Sequence, residues 1–284
     1  MVLTAVVGLL ALSSTAQAAE MPWRTSVEDA LAEAAKSDKL VMIDFSDTDC
    51  VWCDRMDSET LADTTVVTAC ERVIPVRVYV EEMPDLARKH EIEGVPSFIF
   101  VESSGDEAGR IVGFLPPEEF IHRLDLVLQE QERVVNLRKR VAAEPQDMEA
   151  KAELARIYCE RRQGDLAAPL VDALSALPKE DAPEDMADIL LNTGIAYGSR
   201  GNNDRALVYL DRVIKNYPDT EEAEWASFFT GLALGLKGER EAAIKQLEQV
   251  ISTAKNEGIR ERARILRDRF QAVDEQAPPT GPSL

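Results

Sequence analysis

The sequence predicts an α/β domain followed by an all-α repeat domain. Short apolar runs alternate with helical patterns over the first half, and a Cys-x-x-Cys pair, Cys50 and Cys53, directly follows the first of those runs. In the second half Gly164, Gly201 and Gly238 recur at intervals of 37, each followed by Asp165, Asn202 or Glu239. With 284 residues, 45% apolar and 30% charged, the chain is long enough for two separate cores.

Residues 2–12 carry no charge, and Ala16-Gln17-Ala18 offers the small residues that a signal peptidase reads. Residues 1–18 are therefore expected to be a signal peptide and the mature chain to be exported, into a compartment such as a periplasm. No Lys or Arg precedes the apolar segment, and a retained membrane anchor is the alternative. The segment is shorter than the ~20 residues that cross a bilayer. The net charge is −20, of which −14 falls on residues 20–129. Phosphate backbones are repelled by such a surface, so no nucleic-acid partner is expected.

Thr25 or Ser26 caps a first helix, with Glu28 and Asp29 in its first turn and Val27, Ala30, Leu31 and Ala34 on one face. Ser37-Asp38 ends it. Residues 40–46 read as a buried strand, followed by the Cys50 turn and a helix to about Leu61. Residues 74–80 form a second buried strand and residues 84–90 a short helix, which Glu93-Gly94 breaks. The strands 97–101 and 110–114, joined by the turn Ser104-Gly105-Asp106, make a hairpin. Pro116-Pro117-Glu118-Glu119 opens a helix with Phe120, Leu124, Val127 and Leu128 as its apolar stripe. It either continues through Val134, Leu137 and Val141 to Pro145 or breaks near residues 129–132.

Four cysteines in 284 residues are too few for a disulfide scaffold, so the close pair reads as working chemistry. At a helix start the unpaired N–H groups and the dipole favour negative charge. Cys50 there ionises below the ~8.5 of a free cysteine and is the expected attacking thiolate. Cys53, one turn in, resolves the mixed disulfide. Asp47, Asp49, Asp54 and Asp57 crowd the pair and disfavour the thiolate. Oxidants stabilise the reduced thiolate, so this crowding points to a reductant.

A zinc site or a static disulfide at 50 and 53 are the alternatives. Zinc needs about four ligands, and Cys70, Cys159, His90 and His122 show no second metal-binding spacing, so no metal is expected. Cys70 and Cys159 read as small buried residues, and His90 and His122 as surface residues.

The order of elements, with Cys-x-x-Cys after the first strand and Val95-Pro96 before the hairpin, resembles the thioredoxin fold. The runs Val41-Met42-Ile43-Asp44-Phe45 and Cys50-Val51-Trp52-Cys53-Asp54-Arg55-Met56 resemble the exported group related to the C-terminal domain of the bacterial membrane disulfide reductase. The resemblance implies that Asp44 is the buried acid that exchanges a proton with Cys53. It also implies that Pro96 is the cis-proline beside the disulfide, and that Arg77 stands where many of these proteins have a lysine. Val51 and Trp52 inside the pair, with the Val95 backbone, are the implied substrate-binding residues. The Val51-Trp52 interior and Asp49 before Cys50 depart from the familiar Gly-Pro and Trp, which leaves the substrate range open.

In the second half Gly194, Tyr197, Gly201, Ala206, Leu210 and Pro218 resemble the tetratricopeptide repeat, and Gly231, Gly238, Ala243 and Leu247 repeat the pattern. The first unit is degenerate, with Leu154, Ala155 and Tyr158 matching and Pro169 in place of the small alanine. Residues 257–272 suit a terminal helix with Ile259, Ala263, Leu266 and Phe270 inward. The expected layout is a signal peptide at 1–18, a thioredoxin-like domain at 22–129, a helical repeat domain at 130–272 and a tail at 273–284.

The expected function is an exported thiol-disulfide oxidoreductase that reduces protein disulfides. The Cys50-Cys53 disulfide is its redox group and no cofactor is needed. Electrons would come from a membrane or soluble thiol reductant, and a protein partner would dock on the repeats. A disulfide isomerase or chaperone is one alternative, and a repeat scaffold whose redox pair is secondary is another.

Overall fold

The computed structural model describes residues 20–275; the expected signal peptide at 1–18 and the chain after 275 lie outside the described residues. The described residues divide into two compact units, the first ending at Leu128 and the second beginning at Gln129.

The first unit is built on a four-stranded sheet of order β2-β1-β3-β4. Strands β1 (Val41–Ser46) and β2 (Ile74–Tyr79) are parallel, while β3 (Ser97–Val101) runs antiparallel to both β1 and β4 (Glu107–Val112). All six residues of β1 are buried, because helices cover both faces of the central strand. Side chains alternate across the sheet. Val41, Ile43 and Phe45, with Ile99 and Val101, face α1 (Val27–Ser37) and α4 (Pro84–Lys89). Met42, with Phe98 and Phe100, faces the opposite core, shared with Met56, Leu61, α3 (Thr64–Cys70) and the start of α5 (Pro117–Ala143). Asp44 has the parity of Met42, so it points toward the layer that carries the cysteines.

Ser26 caps α1 by accepting from the Asp29 N–H, and Asp38 ends it in the left-handed region at φ 54°. The helix expected to reach Leu61 is α-helical only over α2 (Val51–Arg55); Met56–Leu61 is a π-helical turn, closed by Ala62 N–H donating to Asp57 O at 3.0 Å. The buried Thr60 hydroxyl ties this turn to the Leu115 carbonyl at 2.6 Å. Asp63 then caps the separate helix α3. The last strand lies earlier than residues 110–114. The Ser104-Gly105 turn, with Gly105 at φ 83°, lets pairing start at Glu107, and Gly113 at φ 84° ends it, so Phe114 falls in the loop beyond. Helix α5 runs through residues 129–132 without a break.

The second unit continues with helical hairpins: α6 (Met148–Glu160) with α7 (Gly164–Ser175), α8 (Met186–Ser199) with α9 (Asn203–Asn216), and α10 (Glu221–Leu236) with α11 (Arg240–Thr253). Helix α12 (Glu257–Glu275) follows, burying Ile259 and Ala263 against α11. The buried residues correct the register of the first hairpin. Ala167, Val171 and Leu174 take the places of Ala206, Leu210 and Val213, which Ala243, Leu247 and Val250 fill in the third. The first step is thus 39 residues, not 37. Arg162, at φ 57°, occupies the left-handed turn held by Gly201 and Gly238 at φ 75° and 83°. Gly164 is instead the first residue of α7, packed under the Tyr197 ring, and Ala167 rather than Pro169 is the small contact residue.

Candidate functional site

The site forms where β1 ends and the next helix begins. Cys50 is the N-cap of α2, in extended conformation, and its Sγ accepts from the Cys53 N–H at 3.0 Å. Cys50 and Cys53 are joined in a disulfide with their Cα atoms 5.2 Å apart. Cys50 is half-buried, whereas Cys53 is only 4% exposed, so an incoming group meets Cys50 first. The Val95–Pro96 peptide is cis, and the Val95 carbonyl oxygen lies 3.7 Å from Cys50 Sγ. Val51 and Trp52 project outward, 76% and 55% exposed.

Asp44, buried on β1, is opposite Arg77 in the parallel pairing. Arg77 Nε and Nη2 reach Asp44 Oδ2 at 2.8 and 2.7 Å. The same guanidinium donates from Nη1 to Asp57 Oδ2 at 2.9 Å and from Nη2 to Asp57 Oδ1. Trp23 covers it, with the Arg77 Cζ 4.4 Å from the ring centroid. Burial pushes the Asp44 carboxyl up to about 6; the adjacent Arg77 charge and its hydrogen bonds pull it down, and the Asp57 charge adds to the rise. A carboxyl in that range can gain and lose a proton near neutral pH.

Sequence reasoning noticed Arg77 and Asp57 separately but not that they form one cluster with Trp23. The i, i+4 spacing of Cys53 and Asp57 was the available signal, since it puts both on one helix face. Arg55 and Phe114 were missed outright. The Arg55 guanidinium lies 4.3 Å from the Phe114 centroid and 5.7 Å from that of Trp52, and pairs with Glu59 at 2.8 Å. Trp52 and Phe114 are 6.1 Å apart, so the exposed tryptophan stands on a backed platform.

Among the described residues, the other candidates make no hydrogen bond or ion pair with Cys50, Cys53 or Asp44. Cys70 and Cys159 are free and buried, and burial pushes their thiols up to about 12 and about 11. Both are inert thiols at neutral pH. His122 is exposed, but His90 is not a surface residue: it is 4% exposed, with Nδ1 3.5 Å from Glu107 Oε2 and its ring beside Phe45. The end of the short helix α4 tucks it against β4.

A Cys-x-x-Cys disulfide at the first turn of a helix, faced by a cis-proline loop on a sheet of this topology, is the site of a thiol-disulfide oxidoreductase. Residues 27–128 match the thioredoxin-like domain family, and residues 188–220 match the tetratricopeptide repeat. The chain is 34% identical over 121 residues to the chloroplastic thioredoxin Y2 of Arabidopsis thaliana, and 36% identical over 85 residues to a thioredoxin of Echinococcus granulosus. The first match covers 40% of this chain and 65% of that protein; the second covers 30% and 76%. Among solved structures, the oxidised C-terminal domain of Neisseria meningitidis DsbD is 25% identical, with a TM-score of 0.31, covering 34% of this chain and 89% of that one. The chain belongs to the thioredoxin-like family, with tetratricopeptide repeats following its redox domain.

Proposed function

We propose that this protein is exported and reduces disulfides in client proteins. The observation that supports this most is the asymmetry of the pair: Cys50 half-buried beside the Val95 carbonyl, Cys53 only 4% exposed. In the reduced protein the Cys50 thiolate attacks a client disulfide. One client sulfur bonds to Cys50 and the other leaves as a thiolate. Cys53 then gives up its proton and attacks Cys50 Sγ, closing the Cys50–Cys53 disulfide and releasing the second client thiol. Two electrons pass from the dithiol to the client, and a membrane or soluble thiol reductant returns them. The disulfide is the only redox group this cycle uses.

Asp44 is proposed to take the Cys53 proton, being buried on the same face of β1 as the helix that carries that cysteine. The cis-Pro96 loop offers the Val95 backbone to an extended client segment, with Val51 and Trp52 flanking it. Asp47, Asp49 and Asp54 on the rim oppose a long-lived Cys50 thiolate, which favours the reducing direction. The repeats are proposed to dock a protein partner, and the uncharged segment at residues 2–12 to direct export.

Insulin reduction by a thiol donor tests the assignment. Cys50→Ser should abolish it, and retained turnover would refute the role of Cys50. Equilibration with glutathione should give a potential near the ~−270 mV of thioredoxin, and a value above about −150 mV would overturn the reducing direction.

A further inference from the structure

The arrangement around Arg77 divides one cation unequally between two carboxylates. Asp57, at the start of the π-helical turn, receives two bonds from the guanidinium, one on each of its oxygens. Asp44 receives one, from Nε to Oδ2 at 2.8 Å, with Nη2 in ion-pair contact with that same oxygen at 2.7 Å. An arginine fork matches a carboxylate best when its parallel N–H groups meet the two oxygens separately. Here the more exposed Asp57 takes that geometry, and the buried Asp44 is left with a one-oxygen contact.

Two anchors hold the guanidinium in this position. Trp23 lies over it, on a segment fixed to the β2 edge by Arg24 N–H donating to Pro75 O at 2.8 Å. The turn bearing Asp57 is tied down by Thr60 to Leu115 O. Asp57 follows Cys53 by four residues, on the turn that continues directly from α2. The charged groups facing Asp44 are Arg77 from β2 and Asp57 from the helix after the cysteines. Trp23 on the N-terminal segment and Phe98, paired with Asp44 across β3, add no charge.

The geometry points to Asp57 as a positioning residue of the thiol-disulfide reaction: it draws the Arg77 fork toward itself, so that Asp44 Oδ1 stays available to exchange the Cys53 proton. The inference rests on the reductase reading above. Without Asp57 the fork closes on both Asp44 oxygens, and the carboxylate becomes a weaker base.

The test uses the full chain, reduced, as Asp57→Asn, Asp57→Glu, Arg77→Met and the Asp57→Asn/Arg77→Met double variant. Side-chain 13C NMR of labelled aspartates gives the Asp44 titration, and insulin reduction gives the pH–rate profile. With the Asp44 carboxyl at about 6, a fall of one pH unit in Asp57→Asn raises its charged fraction at pH 5 ~5-fold and leaves pH 8 unchanged. The midpoint of the pH–rate profile should follow that change, while the plateau rate at pH 8 falls, because the doubly bonded carboxylate is the weaker base. Asp57→Glu should restore the wild-type midpoint. In the Arg77→Met background the Asp57→Asn shift should fall below ~0.3 unit, because the effect passes through the guanidinium.

An unmoved midpoint in Asp57→Asn overturns the proposal. So does an equal shift with and without Arg77, which would mark a bare charge effect. Urea midpoints for each variant separate lost folding from a moved titration. If the wild type itself fails to reduce insulin, the reductase reading falls instead, while the NMR midpoints still decide how Asp57 acts on Asp44.

Discussion

Asp44→Asn should stabilise the redox unit at neutral pH while slowing its chemistry. The carboxyl ordinarily titrates at 3.8, and burial raises it to about 6 even with Arg77 attached. Below 3.8 Asp44 is neutral in both folded and unfolded chains, so burial costs nothing. As the pH rises toward 6 the unfolded chain releases the proton and the folded one retains it. Above 6 the folded chain must carry a buried charge, so stability is present at low pH and lost through this window. About two pH units at ~1.4 kcal/mol each makes the loss about 3 kcal/mol.

The asparagine keeps the shape and an oxygen acceptor for Arg77 but has no proton to lose. The stability difference, variant minus wild type, should therefore grow by about 2 kcal/mol between pH 4 and pH 7, most of that total. Urea unfolding followed by fluorescence measures it. A Trp225→Phe background leaves Trp23 and Trp52, both in the first unit, as reporters. A flat difference, or one in which the wild type gains with rising pH, would show that the Arg77 pairing outweighs burial and would refute the reasoning.

Two further outcomes are expected. At Gly231 an added Cβ would come within 2.8 Å of the buried Leu247 side chain, whereas at Gly198 it would meet only Ala206 Cβ at 3.7 Å. Gly231→Ala should cost the repeat unit about 1–3 kcal/mol, and Gly198→Ala should be neutral or stabilising by up to about 1 kcal/mol; thermal melts of the two variants check the contrast. Trp52→Ala removes a half-exposed ring, so the urea midpoint should move by under ~0.5 kcal/mol equivalent while insulin reduction falls several-fold through KM. A parallel fall in stability would make Trp52 a packing residue instead.

Much of the fold was legible because its signals are local. Ser26 and Asp38 bound α1 as a capping residue and a left-handed terminus do in any helix. The fully apolar run 41–43 is what a central strand needs when helices cover both faces. The misplacement of β4 had a specific cause: the sequence offers Glu107 and Ala108 as an unremarkable polar–apolar pair, and only pairing with Val101 makes them strand. His90 was misread for a similar reason. A histidine on a short helix looks solvent-facing until Glu107, from another strand, is placed beside it.

The repeat register shows where spacing misleads. Gly164 and Gly201 stand 37 apart by coincidence, since one opens a helix and the other forms a turn. Tertiary packing, with Ala167, Val171 and Leu174 in the buried places, sets the step at 39.

Residue identity and spacing were enough to specify the Cys50–Cys53 pair, the apolar strand that carries Asp44 and the presence of helical repeats, though not the register of the first. Each of these follows from interactions within a turn or two of chain. The bonding of Arg77 to both Asp44 and Asp57, the cover supplied by Trp23 and the Trp52–Phe114–Arg55 platform were decided only in three dimensions. Arg77 is 33 residues from Asp44 and 20 from Asp57. The energy of such a contact depends on burial and on the direction of the donor groups, and neither is written in local sequence.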